Sequence, residues 1–435
     1  MLDSFLNHID KNFPFLNESK LLIAISGGMD SVVLTHLCHK LGLNFALAHC
    51  NFKLRGQESD HDESFVLKLA KELDVEVFVE SFETEAFANE NKMSIQMAAR
   101  ELRYDWFLDL AEQLQFDFIL TAHHADDDLE TFLINMSRGT GLEGLTGIPE
   151  ANGSIIRPLL LFSRTEIEGY AINNKLDWRE DSSNASNKYV RNRLRHDVIP
   201  VLKEINPKLL QNYQNTQRNL KDSQHIIDDA IVRVQNIVVT VEDNMIKLNI
   251  KKLKKLSHVS AYLYELLKDF NFKAWNDIVD LLEAQSGKQV LSETHRIIKD
   301  RKYLLLTELT TEVIGRISIS EHEKQIEFPM GTLFFDEADT IFGKRSEMIY
   351  VDKNKLEFPL TLRHWQEGDY FYPLGMTGKK KLSKYFKDEK MSLLDKENAW
   401  LLCSNDEVVW VVNRRADNRF KVNENTKQVL KIELQ

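Results

Sequence analysis

The segment Ser26-Gly-Gly-Met-Asp-Ser31 puts two hydroxyls, a carboxylate and two glycines in an order that suits a phosphate grip. Glycines let the backbone turn tightly and let its N–H groups approach an anion without side-chain obstruction. The apolar residues 21–25 come just before, and residues 32–37 follow with helical spacing. The segment should therefore join a buried strand to a helix whose positive end favours the same anion. Ser26 and Ser31 add donors, and Asp30 can hold a magnesium ion bridging phosphates. A plain strand-to-helix turn uses Gly and Ser for the same geometric reasons, so the residues alone leave that reading open. Gly375 to Lys380 approaches the other common phosphate loop but has the wrong spacing.

A second constellation is Thr121-Ala-His-His-Ala-Asp-Asp-Asp-Leu-Glu-Thr131, which follows the apolar residues 116–120. Acids clustered at a strand's carboxyl end repel one another and any phosphate unless a cation, Mg²⁺ or an amine, sits among them. Neighbouring His123 and His124 do not easily share one zinc ion. Helix N-capping is the competing explanation for Asp126 and Asp128, since acids are favoured there anyway.

These groups need a scaffold. Residues 21–25, 44–48, 75–79 and 116–120 read as strands, alternating with helical stretches at 62–73 and 94–114. That alternation predicts an α/β domain with a doubly wound parallel sheet, whose ligands sit beyond the carboxyl ends of its strands. Residues 209–239 read as a long polar helix, 240–310 mix β-branched runs with helices, and short strands dominate after 356. The expected division is an α/β domain over 1–205, a mostly helical middle domain over 206–315 and a small α+β C-terminal domain over 316–435.

With 435 residues, 43% hydrophobic and 28% charged, the composition is that of a globular protein. No apolar run reaches the ~20 residues that cross a bilayer, and the N-terminus lacks the order of a signal peptide. Cys38, Cys50 and Cys403 lie far apart, which predicts a reducing cytoplasmic setting and no cysteine-held metal. The net charge of −11 weighs against a nucleic-acid partner. Basic residues are nonetheless concentrated locally, at Lys188, Arg191, Arg193 and Arg195, and at Lys379, Lys380, Lys381, Lys384, Lys387 and Lys390. Such patches fit a partner gripped locally, although solvated helix faces give the same pattern.

Ser-Gly-Gly-x-Asp-Ser resembles the PP-loop of the N-type ATP pyrophosphatases, which cleave ATP between the α and β phosphates and transfer AMP to a substrate oxygen. His-His-x-Asp-Asp-x-x-Glu-Thr at 123–131 resembles the tRNA(Ile)-lysidine synthetase family more narrowly. So do Arg138-Gly-Thr-Gly-Leu-Glu-Gly-Leu145, Arg157-Pro-Leu-Leu160, Glu180-Asp-Ser-Ser-Asn184, Arg191-Asn-Arg-Leu-Arg195 and, near the C-terminus, Pro373-Leu-Gly-Met376, Lys380-Lys-Leu-Ser-Lys-Tyr-Phe386 and Arg419-Phe-Lys421. Arg100 and Arg103 fall in the family's essential-arginine segment, with Arg103 the better placed.

The resemblance implies ATP and Mg²⁺ as cofactors, and a tRNA(Ile) with a CAU anticodon and free L-lysine as partners. It implies no membrane partner, and a homodimer as one assembly the chain could adopt. ATP would be held by Ser26, Gly27, Gly28, Met29, Asp30 and Ser31, with Mg²⁺ on Asp30 and Asp127. Asp30, Arg103 and Asp127 would be catalytic. His123, Asp127, Glu130, Arg138, Arg191, Arg195, Lys380, Lys381 and Lys384 would meet the substrates. Two departures stand out: Phe52 in His49-Cys-Asn-Phe-Lys-Leu-Arg55 replaces the second histidine of a family segment, and Asn413 stands where glycine is common. A thiolase of the same superfamily, or a non-catalytic RNA-binding protein that keeps ATP as a structural ligand, are the rival readings.

Overall fold

The computed structural model describes residues 1–180, 190–242, 245–309, 315–341 and 345–435. Asp181 to Asn184 and Lys188, which the sequence analysis singled out, lie outside the described residues. The chain forms two compact units, Met1–Asp228 and Asp229–Gln435.

The first unit is built on a six-stranded sheet in the order β3-β2-β1-β4-β6-β5. Its strands are β1 (Leu21–Ala24), β2 (Phe45–Asn51), β3 (Val77–Ser81), β4 (Phe118–Leu120), β5 (Ala151–Asn152) and β6 (Ile155–Ile156). All neighbours pair in parallel except β5 with β6, a short antiparallel hairpin at one edge. Helices cover both faces: α1 (Leu2–Asn12), α2 (Met29–Lys40), α3 (Gln57–Leu73), α4 (Thr84–Glu90), α5 (Ile95–Leu114), α6 (Ala125–Arg138), α7 (Leu142–Leu145) and α8 (Arg164–Asn173). The period of two along the strands sorts the core accordingly. Leu21, Ile23, Phe45, Leu47 and Leu120 pack into one buried cluster, while Leu22, Ala46, Ala48 and Ile119 pack into another on the opposite face. A strand buried on both sides reads as a continuous apolar run, which is why β1 and β2 are legible in the sequence.

After α8 come α9 (Val190–Arg193), one turn of π-helix (Leu194–Val198), α10 (Ile199–Ile205) and α11 (Leu209–Val238). The boundary between the two units falls inside α11.

The second unit holds two antiparallel regions. Residues 239–308 form a five-stranded sheet in the order Val239–Glu242, Met245–Asn249, Tyr303–Glu308, His295–Asp300, Gln289–Leu291, with helices Val259–Leu267 and Trp275–Asp280 packed on it. This sheet is only partly visible in the sequence as scattered β-branched runs, because its strands are short and paired through turns of differing length. Beyond residue 315, two four-stranded antiparallel sheets enclose a separate core around Trp400 and Trp410. The lysine-rich segment there runs through the short strand Lys380–Lys381 into the helix Leu382–Asp388, which carries Lys384 and Lys387.

Candidate active site

β1 pairs with β2 on one side and β4 on the other, so the turns after all three open onto one crevice. The strand order reverses direction between β1 and β4, the place where doubly wound sheets take ligands. A cavity of about 900 Å³ lies there, lined by Ser26, Gly28, Met29, Asp30 and Ser31, by Phe52 and Arg103, by His123 and Asp127, and by Arg191 and Arg195. A volume of that size accommodates a nucleotide.

The loop after β1 is held by its own hydroxyls. Ser31 Oγ donates to the Gly28 carbonyl (2.9 Å), and Ser26 Oγ accepts the Gly28 N–H (3.2 Å). Gly27 takes φ +85°, a region costly to other residues, and its carbonyl accepts the Arg179 N–H at 2.9 Å. Gly28 is the N-cap of α2, so the first-turn N–H groups of that helix, which have no intrahelical acceptor, face the cavity with the positive end of its dipole.

The acids separate by what they touch. Asp127 closes a capping box at the start of α6: its Oδ2 accepts the His124 N–H at 3.1 Å. His124 Nδ1 accepts the Asp127 N–H (3.4 Å), which leaves Nε2 to carry the proton, 3.4 Å from Asp127 Oδ2 and 3.7 Å from Asp30 Oδ2. His124 thus bridges the two carboxylates. Burial raises the Asp30 carboxyl above its ordinary value, with Asp127 adding to the rise and His124 opposing it. Burial pushes Asp127 the same way, but His124, His123, the capping N–H and Arg195 outweigh it and hold this carboxyl below the usual range. Asp30 Oδ1 is buried with no hydrogen-bond partner. A divalent cation shared with phosphate oxygens satisfies such an atom, and the pair Asp30 and Asp127 fits Mg²⁺, which takes one or two carboxylates.

Asp126 and Asp128 are engaged elsewhere. Asp126 accepts the Arg164 N–H (2.8 Å) and pairs with Lys203. Asp128 accepts the Ile148 N–H, where a Cβ on the preceding Gly147 would collide with its carboxylate. Both are structural anchors through distant partners rather than helix caps; the capping role falls to Asp127. Glu130 sits one helical turn from Asp127 on the same face of α6 and is 1% exposed. It holds Arg195 in a two-pronged pair, Nε to Oε1 2.7 Å and Nη2 to Oε2 3.0 Å, while the same Nη2 reaches Asp127 Oδ1 at 3.1 Å. Arg191 donates to Thr131 Oγ1 (2.7 Å) and lies 3.5 Å from Glu130. So Glu130 reaches the cavity through arginines. Arg138 is exposed at the end of α6 and does not line the cavity.

Lys380, Lys381 and Lys384 belong to the second unit. Lys380 pairs with Asp388 at 2.8 Å, and Lys381 and Lys384 are exposed. Arg164, Trp178 and Arg179 also line the cavity. No motif spacing marks them, because they arrive from the region between β6 and α9. His124, which the sequence shows only as half of a histidine pair, could have been found as an N-cap ahead of an acid at N3.

His123 makes a pH prediction. Burial pushes its imidazole from 6.5 down to about 4, against the pull of Asp127, so it is neutral at pH 7. The unfolded chain therefore binds an extra proton between the two values, and stability is fully present above the higher one and declines as pH falls toward the lower. His123→Asn should flatten the dependence of melting temperature on pH between about 6.5 and about 4. An unchanged slope would show that His123 titrates normally in the fold.

The PP-loop domain family matches residues 2–202, the TilS substrate binding domain residues 241–309 and the TilS substrate C-terminal domain residues 360–434. The chain is 41% identical over 436 residues to the tRNA(Ile)-lysidine synthase of Parabacteroides distasonis, covering 99% of each chain. It is 38% identical to the tRNA(Ile)-lysidine synthase of Bacteroides thetaiotaomicron, covering 98% of this chain and 97% of the relative.

Proposed function

The chain belongs to the tRNA(Ile)-lysidine synthase family, an ATP-using ligase that forms a carbon–nitrogen bond, and from that premise we propose how its residues divide the reaction. The substrate is the cytidine at the first position of the CAU anticodon of tRNA(Ile). Its C2 carbonyl oxygen attacks the α-phosphorus of ATP, the bond to the β-bridging oxygen breaks, and pyrophosphate leaves. The ε-amine of free L-lysine then attacks C2, the C2–O bond breaks, and AMP departs while the amine loses its proton.

The observation that carries this reading is the gathering of loop, arginine and acids around one cavity. The first-turn N–H groups of α2 and the Ser26 hydroxyl are aimed where charge develops on pyrophosphate. Asp30, with its unpartnered Oδ1, and Asp127 are the proposed magnesium contacts. A magnesium ion, when bound, would neutralise the phosphate charge that the acids otherwise repel. Arg103 presents its fork of donors to the α-phosphate. Asp127, held ionised, receives the lysine ammonium, whose free pKa of about 10.4 requires a base before it can attack. Glu130 serves by fixing Arg195 against Asp127. Arg191 and His123 line the path of the unstacked base.

The thiolase alternative needs a reactive sulfur. Cys38 is fully buried, and burial pushes it and Cys50, which does line the cavity, up to about 12. Thiols held that high form no thiolate at neutral pH.

Residues 1–205 are assigned to adenylation, 206–315 to tRNA support and 316–435 to tRNA binding, in the cytoplasm, where lysine, ATP and tRNA meet. Incubation with ATP, labelled lysine and tRNA transcripts tests the whole. Label should enter tRNA(Ile) with the CAU anticodon alone, with AMP and pyrophosphate released in equal amounts; release without labelling would overturn lysine as the nucleophile. Replacing Lys380, Lys381 and Lys384 by Gln should weaken tRNA binding and reduce the slope of log affinity against log salt by about 0.7–0.9 for each phosphate no longer neutralised. An unchanged slope would take these lysines off the RNA.

A further inference from the structure

We propose that Phe52 is a positioning residue for Arg103: its ring face holds the guanidinium at the cavity without neutralising it. The inference rests on the reading of Arg103 as the group that meets the α-phosphate.

Phe52 follows the last residue of β2, the strand beside β1, and lines the cavity. The Arg103 guanidinium carbon lies 5.1 Å from the centre of its ring, within the range of a cation–π contact. The ring is itself fixed. Phe82 stacks on it at 5.8 Å with 22° between the planes, and Trp106 meets Phe82 edge-on at 6.2 Å. Trp106 lies on α5, three residues after Arg103, and the Phe82 N–H donates to the Asn51 carbonyl at 2.8 Å. The aromatic ladder thus ties the end of β2 to the face of α5 that carries the arginine.

The contrast with three other cavity arginines gives the arrangement its meaning. Arg179 is paired with Asp62, and Arg191 and Arg195 with Glu130, while the Arg164 side chain has neither an ion pair nor a ring face among the described residues. Among the described residues Arg103 has an aromatic face and no carboxylate at ion-pair distance. A carboxylate would orient the guanidinium but would occupy its N–H donors and cancel its charge. A ring face orients it and leaves the in-plane donors and the charge available for phosphate. The departure from the family segment at Phe52 is consistent with this role, since a histidine there, once protonated, would repel the guanidinium.

The test is a Phe52 series in the full-length enzyme, scored by AMP release, KM for ATP and lysine, and melting temperature. Phe52→Leu keeps apolar bulk and removes the ring. It should lower kcat for AMP release about three- to tenfold, with KM for lysine and melting temperature unchanged. Phe52→Trp should restore the rate. Phe52→Met replaces the leucine variant should that one melt early. A wild-type kcat in Phe52→Leu, or a tryptophan variant no faster than the leucine one, overturns the proposal. Arg103→Ala separates the two layers. If it releases AMP at the wild-type rate, the assignment of Arg103 falls and takes this inference with it. If it is slow while Phe52→Leu is normal, only the role of Phe52 falls.

Discussion

Asp127→Asn is expected to reduce lysidine formation by at least about a hundredfold, the cost typical of losing one charge-stabilising group at a reaction centre, while tRNA affinity and melting temperature stay close to wild type. The substitution keeps an oxygen to accept the His124 N–H at the start of α6, so the capping box survives. It removes the negative charge that His124, His123 and Arg195 hold in place. Two proposed duties depend on that charge, contact with magnesium and reception of the lysine ammonium. Single-turnover pyrophosphate release separates them. Loss of pyrophosphate release places the defect in adenylation; normal pyrophosphate release with no AMP release or lysine incorporation places it in the second step. Wild-type turnover would remove Asp127 from the mechanism altogether.

Glu130→Ala should show its main effect on stability. The carboxylate is 1% exposed and takes both prongs of Arg195. Deleting one partner of a buried pair leaves the other charge uncompensated, at a cost of about 3–5 kcal/mol when burial is complete. The Arg195 side chain is 23% exposed and can recover some hydration, which argues for the lower end, about 3 kcal/mol. For a unit of this size that lowers the melting temperature by roughly 6–12 °C. Glu130→Gln, which keeps an acceptor for Arg195, should cost less. If instead Glu130→Ala melts normally and shows a raised KM for lysine, Glu130 binds the substrate amine directly and the anchoring role is wrong.

How far the sequence could reach is clearest in the acidic run. Asp126, Asp127, Asp128 and Glu130 are close together and of one chemical type, and helical spacing puts Glu130 on a common face with both Asp126 and Asp127. What distinguishes them is set by partners far along the chain. Asp126 is tied to Arg164 and Lys203, Asp128 to Ile148, and Glu130 to Arg195. The shared face did not reveal that Arg195 already occupies Glu130. Arg179 and Trp178 were illegible for the same reason, and Phe52 appeared only as a departure from a pattern.

By itself the sequence determined what is local. The strand–Gly–Gly–helix turn at Ser26 to Ser31 follows from the φ that Gly27 adopts and from the apolar run before it. The central parallel strands β1 and β2 follow from runs that are buried on both faces, and the motifs around 26–31 and 121–131 carry the family. Only the tertiary structure decided which of these pieces meet. The order β3-β2-β1-β4 brings the ends of three strands to one cavity, and with them Asp30, Phe52 and Asp127 from distant stretches of chain. Strand order depends on how the helices pack across the sheet, and such packing is a property of the whole core, which no window of residues contains.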